Sequence, residues 1–151
     1  MLTTMARQVA VIGSGAEWEN AAEEVGRLLA ERGCAVVTGG LDEVMAAAHR
    51  GAKAAGGTTI AILPGESRAA ANEWADHVVV TGIGHARNLA VAASGEAVIA
   101  IGGSYGTLAE MALALRLGRP VVALQGAPVV EGIDRAASPA EAVELALAHL
   151  G

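Results

Sequence analysis

Phenylalanine is absent, and one tyrosine and two tryptophans supply all the aromatic side chains. Proteins that hold single strands by stacking bases need more rings than that, so no such platform is expected. Positive charge is also scarce. Ten Lys and Arg stand against sixteen Asp and Glu, a formal charge of −6, which argues against a general nucleic-acid-binding face. Cys34 is the single cysteine, so an internal disulfide is impossible and a cysteine-based metal site is not expected. It reads as a small buried residue ahead of a strand. No two of His49, His77, His85 and His149 stand at metal-ligand spacing, and no metal is expected. His49 and His149 read as solvated helix residues. No apolar run approaches the roughly 18 residues of a membrane helix. Met1–Gln8 lacks the apolar segment of a signal peptide. A cytoplasmic protein without a membrane partner is the expectation.

What the chain does have is apolar bulk. Hydrophobic residues make up 53% of it and mean hydropathy is +0.45, which calls for a compact interior or a buried oligomer interface. Its 151 residues fit one domain over 1–151. Short apolar runs at 8–13, 35–38, 58–63, 78–81, 97–101 and 121–124 read as strands. Amphipathic stretches separate them. One carries Trp18, Ala22, Val25, Leu28 and Leu29 and ends at Gly33. Another carries Leu41, Val44, Met45, Ala48 and Ala52. A third runs from about His85 to Ser94, and a fourth presents Leu108, Met111, Ala112 and Leu115. Ser138, Pro139 and Glu141 supply an N-cap, N1 and N3 for the last helix. Residues 126–137 are the least defined connection.

Continuously apolar strands alternating with helices indicate a sheet covered on both faces. The expected fold is α/β: a doubly wound, Rossmann-like domain with a mainly parallel sheet of six or seven strands. Ligands bind such sheets at the carboxyl ends of the strands. Here those ends carry Gly13-Ser14-Gly15, Thr38-Gly39-Gly40, Pro64-Gly65, Thr81-Gly82 and Gly102-Gly103. Glycine at so many strand exits implies backbone in close approach to a ligand along one rim.

The most informative stretch is Ile101–Glu110, a glycine-rich loop between a strand and a helix start. Outward N–H groups and the helix dipole make it an anion site. Thr107 would cap the helix or give its hydroxyl to a phosphate, and Glu110 lies one turn on. The candidate ligand contacts are Gly13, Ser14, Gly39, Gly40, Gly102, Gly103, Ser104, Tyr105, Gly106 and Thr107, around a nucleotide or other small phosphorylated ligand. A dinucleotide fingerprint is incomplete. Gly13 and Gly15 fit, but Trp18 takes the third glycine position, and no acidic residue ends the second strand. A Walker A loop and a Gly-x-Ser-x-Gly elbow are absent.

From Val37 onward the chain resembles the Lonely-Guy (LOG) family. Its signature, Pro-Gly-Gly-x-Gly-Thr-x-x-Glu, aligns with Gly102-Gly103-Ser104-Tyr105-Gly106-Thr107-Leu108-Ala109-Glu110. Its upstream Met-His-x-Arg-Lys aligns with Gly84-His85-Ala86-Arg87-Asn88. Gly102, Ser104, Gly84 and Asn88 depart from those motifs. The departures are similar to a branch that includes the molybdenum cofactor carrier protein, with Gly-Gly-x-Tyr-Gly-Thr-x-x-Glu and Thr-Gly-x-Gly-x-Ala-Arg-Asn.

The resemblance implies a Rossmann-like fold and a homo-oligomer, dimer or tetramer. It also implies two readings of the site. In one, a phosphoribohydrolase splits nucleoside 5′-monophosphates into free base and ribose 5-phosphate, with Arg87 and Glu110 as its catalytic pair. In the other, a non-catalytic protein binds or carries a pterin phosphate. A ligand-sensing or scaffold role would use the same loop. Asp42 and Glu43 follow Gly39-Gly40, where relatives tend to have small residues. They read as acids complementing a helix dipole, which sends phosphate to the Gly102–Thr107 loop.

Overall fold

The apolar runs form β1 (Gln8–Ser14), β2 (Ala35–Thr38), β3 (Thr59–Leu63), β4 (His77–Val80), β5 (Ala97–Gly102) and β6 (Val121–Ala123). A seventh strand, β7, is Asp134–Arg135. The computed structural model describes residues 5–151; residues 1–4, part of the stretch read for a leader, lie outside the described residues. The sheet order is β4-β3-β2-β1-β5-β6-β7, and every neighbouring pair is parallel. Among the described residues the sheet therefore has seven strands, all parallel. β7 falls inside the ill-defined 126–137 connection. It has no apolar run of its own and exists by pairing Asp134 with Val122 and Arg135 with Ala123.

The helices are α1 (Glu19–Glu31), α2 (Val44–Ala54), α3 (Arg87–Ser94), α4 (Tyr105–Arg116) and α5 (Pro139–Ala148). Strand alternation divides the core between the two faces of the sheet. Val9 and Val11 of β1 pack with Val25 and Leu29 of α1, Ala47 of α2 and Val143 of α5. Ala10 and Ile12 pack with Val91 of α3 and Met111 and Ala114 of α4. No described helix is long and apolar enough to cross a membrane.

Helix ends follow local chemistry. Gly33 (φ 78°) closes α1 in a Schellman turn: the Cys34 N–H donates to the Leu29 carbonyl and the Gly33 N–H to that of Ala30. Ser138 Oγ accepts from the Glu141 N–H at 3.1 Å, and the Glu141 carboxylate accepts from the Ala137 N–H. Cys34 is buried beside β2, as its sequence context suggested.

Two expectations change. Leu108 and Ala112 of α4 turn to solvent, and the buried face is Thr107, Glu110, Met111 and Ala114. The buried face is turned one position from the stripe of apolar residues because α4 buries two polar ones, Thr107 and Glu110. His49 is not solvated; its exposure is 0%. Its ring nitrogens meet Thr38 Oγ1 at 3.2 Å and Asn72 Nδ2 at 3.3 Å. Those partners make its burial tolerable.

The order reverses at β1 and β5, so β1–β5 is the topological switch point. Ser14 pairs there with Gly102, and a Cβ on Gly13 would lie 1.8 Å from the Ile101 carbonyl oxygen. Only glycine permits that approach. The crevice beyond these strand ends holds the site.

Candidate functional site

A cavity of about 400 Å³ opens at the switch point, between the N-terminal ends of α3 and α4. That is within the size range of small-molecule pockets, which is roughly 300–1,000 Å³. Gly13 and Ser14 of β1, Gly39 after β2, Arg87 of α3, and Ser104, Gly106, Thr107 and Glu110 at α4 all line it. Residues far apart in sequence thus meet at one crevice. The other candidate contacts stand back from it. Gly40 lies behind the wall, donating its N–H to Thr38 Oγ1 at 2.9 Å. Gly102 and Gly103, both with positive φ, shape the turn into α4 without lining the cavity. Tyr105 is 85% exposed and is not among the lining residues.

Arg87 is the first residue of α3 and is only 9% exposed. Its Nε donates to the Ile62 carbonyl at 3.0 Å, one terminal nitrogen donates to the Gly39 carbonyl at 3.4 Å, and the other donates to Asn88 Oδ1. The guanidinium therefore spans the ends of β2 and β3. Gly39 makes room for it: a Cβ there would lie 2.6 Å from Nη2. Burial lowers the pKa of Arg87 and the facing Glu110 raises it, but guanidinium stays protonated at any working pH.

Glu110 is 9% exposed and sits in the second turn of α4. Burial pushes its pKa up to about 7, with Arg87 pulling the other way. Arg87 and Glu110 line one cavity, yet no ion pair within 4.0 Å joins them among the described residues. The result is a fixed cation and a carboxyl with its pKa raised to about 7 on the wall of one cavity, not joined as an ion pair.

Thr107 does not cap α4. Ser104 is the N-cap residue and makes no side-chain cap bond, so first-turn N–H groups remain for a ligand or water. Thr107 instead packs into the space beside Gly103, where a Cβ would lie 2.2 Å from its Oγ1. The anion-binding character of the turn thus rests on backbone donors and dipole.

Two lining residues carry no signal in the sequence: Leu41 and Met45 give the cavity an apolar wall. Pro64, at the β3 exit, and Gly84, in the motif ahead of Arg87, close its rim. Leu41 and Met45 had been read only as part of a helical stripe. His85 is exposed and also lines the cavity. Asn88 holds Arg87 in place, a function its position next to the arginine could have suggested.

Glu43 is the other departure. It is the N-cap residue of α2, but its carboxylate accepts from the N–H of Gly15 in the β1–α1 turn. It is also the one non-glycine residue with positive φ (56°, with ψ −121°) among the described residues. Such backbone costs about 1–3 kcal/mol and is kept where the surroundings enforce it. Its carboxylate thus ties two strand-exit loops together rather than satisfying its own helix. His49 supports the same rim from below. Asn72 donates to its Nδ1 and to the Gly40 and Leu41 carbonyls, so the ring proton on Nε2 is left for Thr38 Oγ1. Burial pushes the His49 pKa down to about 4.

A family model described as the SLOG cluster4 family matches residues 6–147. An uncharacterised protein of Archaeoglobus fulgidus is 42% identical over 139 residues, 90% of this chain and 91% of that protein. Among solved structures, the molybdenum cofactor binding protein of the phototrophic bacterium Rippkaea orientalis superposes with a TM-score of 0.90. It is 31% identical, covering 99% of this chain and all of that one. The molybdenum cofactor carrier protein of Chlamydomonas reinhardtii gives a TM-score of 0.86 at 34% identity, covering 97% of this chain and 98% of that one.

Proposed function

Because this chain belongs to the SLOG cluster4 family, we propose that its switch-point cavity binds a small phosphorylated ligand with a flat ring system, a nucleotide or a pterin phosphate. The observation that carries this reading is the buried Arg87 set across a cavity from the uncapped N-terminus of α4. The phosphate rests on the backbone N–H groups of the 104–107 turn and pairs with Arg87. The ring lies against Leu41 and Met45. The solved relatives that bind or carry the molybdenum cofactor support the pterin choice. Exposed Leu89 and Leu108 on the adjoining helices α3 and α4 support self-association as a dimer or tetramer.

A second reading has one specific observation behind it, the Glu110 carboxyl poised near pH 7 in the same cavity. A nucleoside 5′-monophosphate held by Arg87 would present its glycosidic bond to that group. The C–N bond breaks as water adds to the ribose C1′, the carboxylate stabilises the developing oxocarbenium charge and takes the water's proton, and that proton goes on to the departing base. On this reading Arg87 and Glu110 are the catalytic pair.

One experiment separates the readings. The chain is incubated with a panel of nucleoside 5′-monophosphates and with a pterin phosphate, and binding and free base are both measured. Binding of one panel member without base release is the expected outcome for a carrier. Base release that disappears in Glu110→Gln establishes the hydrolase instead. Failure to bind any member contradicts both.

A further inference from the structure

In doubly wound folds the β1–α1 turn is the usual seat of a pyrophosphate, because glycines let the backbone N–H groups reach it. This chain keeps the first two glycines of that turn, Gly13 and Gly15. Yet the anion position at Gly15 is already filled by the protein itself: the Glu43 carboxylate accepts from its N–H. Glu43 does so from a backbone conformation that glycine adopts cheaply and glutamate does not. A second carboxylate stands close by, since a Cβ on Gly15 would lie 3.1 Å from Glu17 Oε1. The ring of Trp18, in the third glycine position, crowds the same turn at 2.8 Å from that Cβ.

The neighbouring turn is different. Ser14 pairs with Gly102, so the β1–α1 and β5–α4 turns are adjacent, roughly one strand spacing of 4.8 Å apart. Ser14 lines the cavity while Gly15 and Glu43 stand just beyond its lining, so a second phosphate in series would meet them on passing Ser14. The β5–α4 turn lacks a side-chain cap, while the β1–α1 turn carries a carboxylate.

We propose that Glu43 is a specificity residue that restricts the cavity to ligands with one phosphate, by occupying the position a second, serially linked phosphate would take. Nucleoside diphosphates and dinucleotides are rejected by charge repulsion and by loss of the Gly15 donor. The inference rests on the reading that a phosphate sits at the start of α4.

The test uses inorganic phosphate and pyrophosphate as probes, titrated into the full chain and followed by backbone amide chemical shifts. Wild type, Glu43→Ala and Glu43→Gly are compared, the glycine variant relieving the positive φ. Glu17→Gln serves as a control that removes a nearby charge and leaves the latch. The expected result is a tenfold or greater gain in pyrophosphate affinity in both Glu43 variants, with new shifts at Gly15. Phosphate affinity should change less than threefold, and the Glu17→Gln ratio should stay within threefold of wild type. Phosphate binding at residues 103–107 with an unchanged pyrophosphate-to-phosphate ratio in the Glu43 variants overturns the inference and leaves the pocket reading standing. A gain in Glu17→Gln equal to that in Glu43→Ala also overturns it, because bulk charge would then be the cause. Absence of any phosphate shift at residues 103–107 overturns the pocket reading and the inference with it.

Discussion

Arg87→Ala is expected to weaken binding of the phosphorylated ligand by about a hundredfold or more, with the fold intact. Truncating one partner of a buried, hydrogen-bonded charge pair costs about 2–5 kcal/mol, and each 1.4 kcal/mol is tenfold in affinity. Arg87 meets the conditions for the larger part of that range. It is 9% exposed, and the Ile62 and Gly39 carbonyls and Asn88 aim it before any ligand arrives. A preorganised donor loses little entropy on binding. Arg87→Lys should recover only part of the affinity, because one ammonium cannot reach both the Ile62 and Gly39 carbonyls and still face the cavity. The fold survives because removing the side chain of Arg87, itself a lining residue, lets water from the cavity replace its bonds to the two carbonyls. Titration calorimetry on the three proteins, with thermal melts as the folding control, measures this. Affinity within threefold of wild type in Arg87→Ala would contradict the assignment.

Glu110→Gln is expected to stabilise the unliganded chain by about 3 kcal/mol at pH 8. Burial raises the Glu110 pKa from 4.5 to about 7 in the folded chain. Between those values the folded state holds the proton more tightly than the unfolded state. Its contribution to stability is therefore fully present below pH 4.5 and is lost as pH rises through 7. Glutamine pays no such penalty. His49 runs the other way. Burial lowers its pKa from 6.5 to about 4, so its contribution is present above pH 6.5 and is lost as pH falls through 4. The two slopes oppose one another between about pH 4.5 and 6.5. Wild type should change little from these two groups across that window. Glu110→Gln should show the His49 slope alone, losing stability on acidification from pH 6.5 to 4. Urea unfolding at pH 8, 6.5 and 5 reads both effects. Equal stability of wild type and variant at pH 8 would mean that Glu110 is solvated and not a poised carboxyl. A buried acid held at a stability cost is a mark of a functional position.

The elements that local sequence controls were readable in advance. Apolar runs such as Ala97–Ile101, short and rich in β-branched residues, read as strands buried on both faces, and Gly33 and Ser138 end and start helices through bonds within a few residues. The motif around Gly102–Glu110 and Arg87 likewise marked two sides of the cavity. What escaped depends on partners distant in the chain. β7 is two polar residues that become a strand only by pairing with β6. His49 is buried because Asn72 and Thr38, brought from other elements, satisfy its ring. Glu43 lies beside a helix start, where a dipole explanation was sufficient. Its true partner, Gly15, adjoins it only once β1 and β2 pair. The apolar wall of Leu41 and Met45 was hidden in a stripe that looked like ordinary core.

The proposed function requires a phosphate on the α4 N-terminus, facing Arg87. Crystals of the chain grown with 5′-AMP, a nucleoside 5′-monophosphate from the panel above, test it most directly. The expected result is a phosphate within hydrogen-bond distance of the Gly106 and Thr107 N–H groups and of Arg87, with the base against Leu41 and Met45. A phosphate seated instead on the β1–α1 turn at Gly15, or bound away from Arg87 with the cavity holding only water, would contradict it.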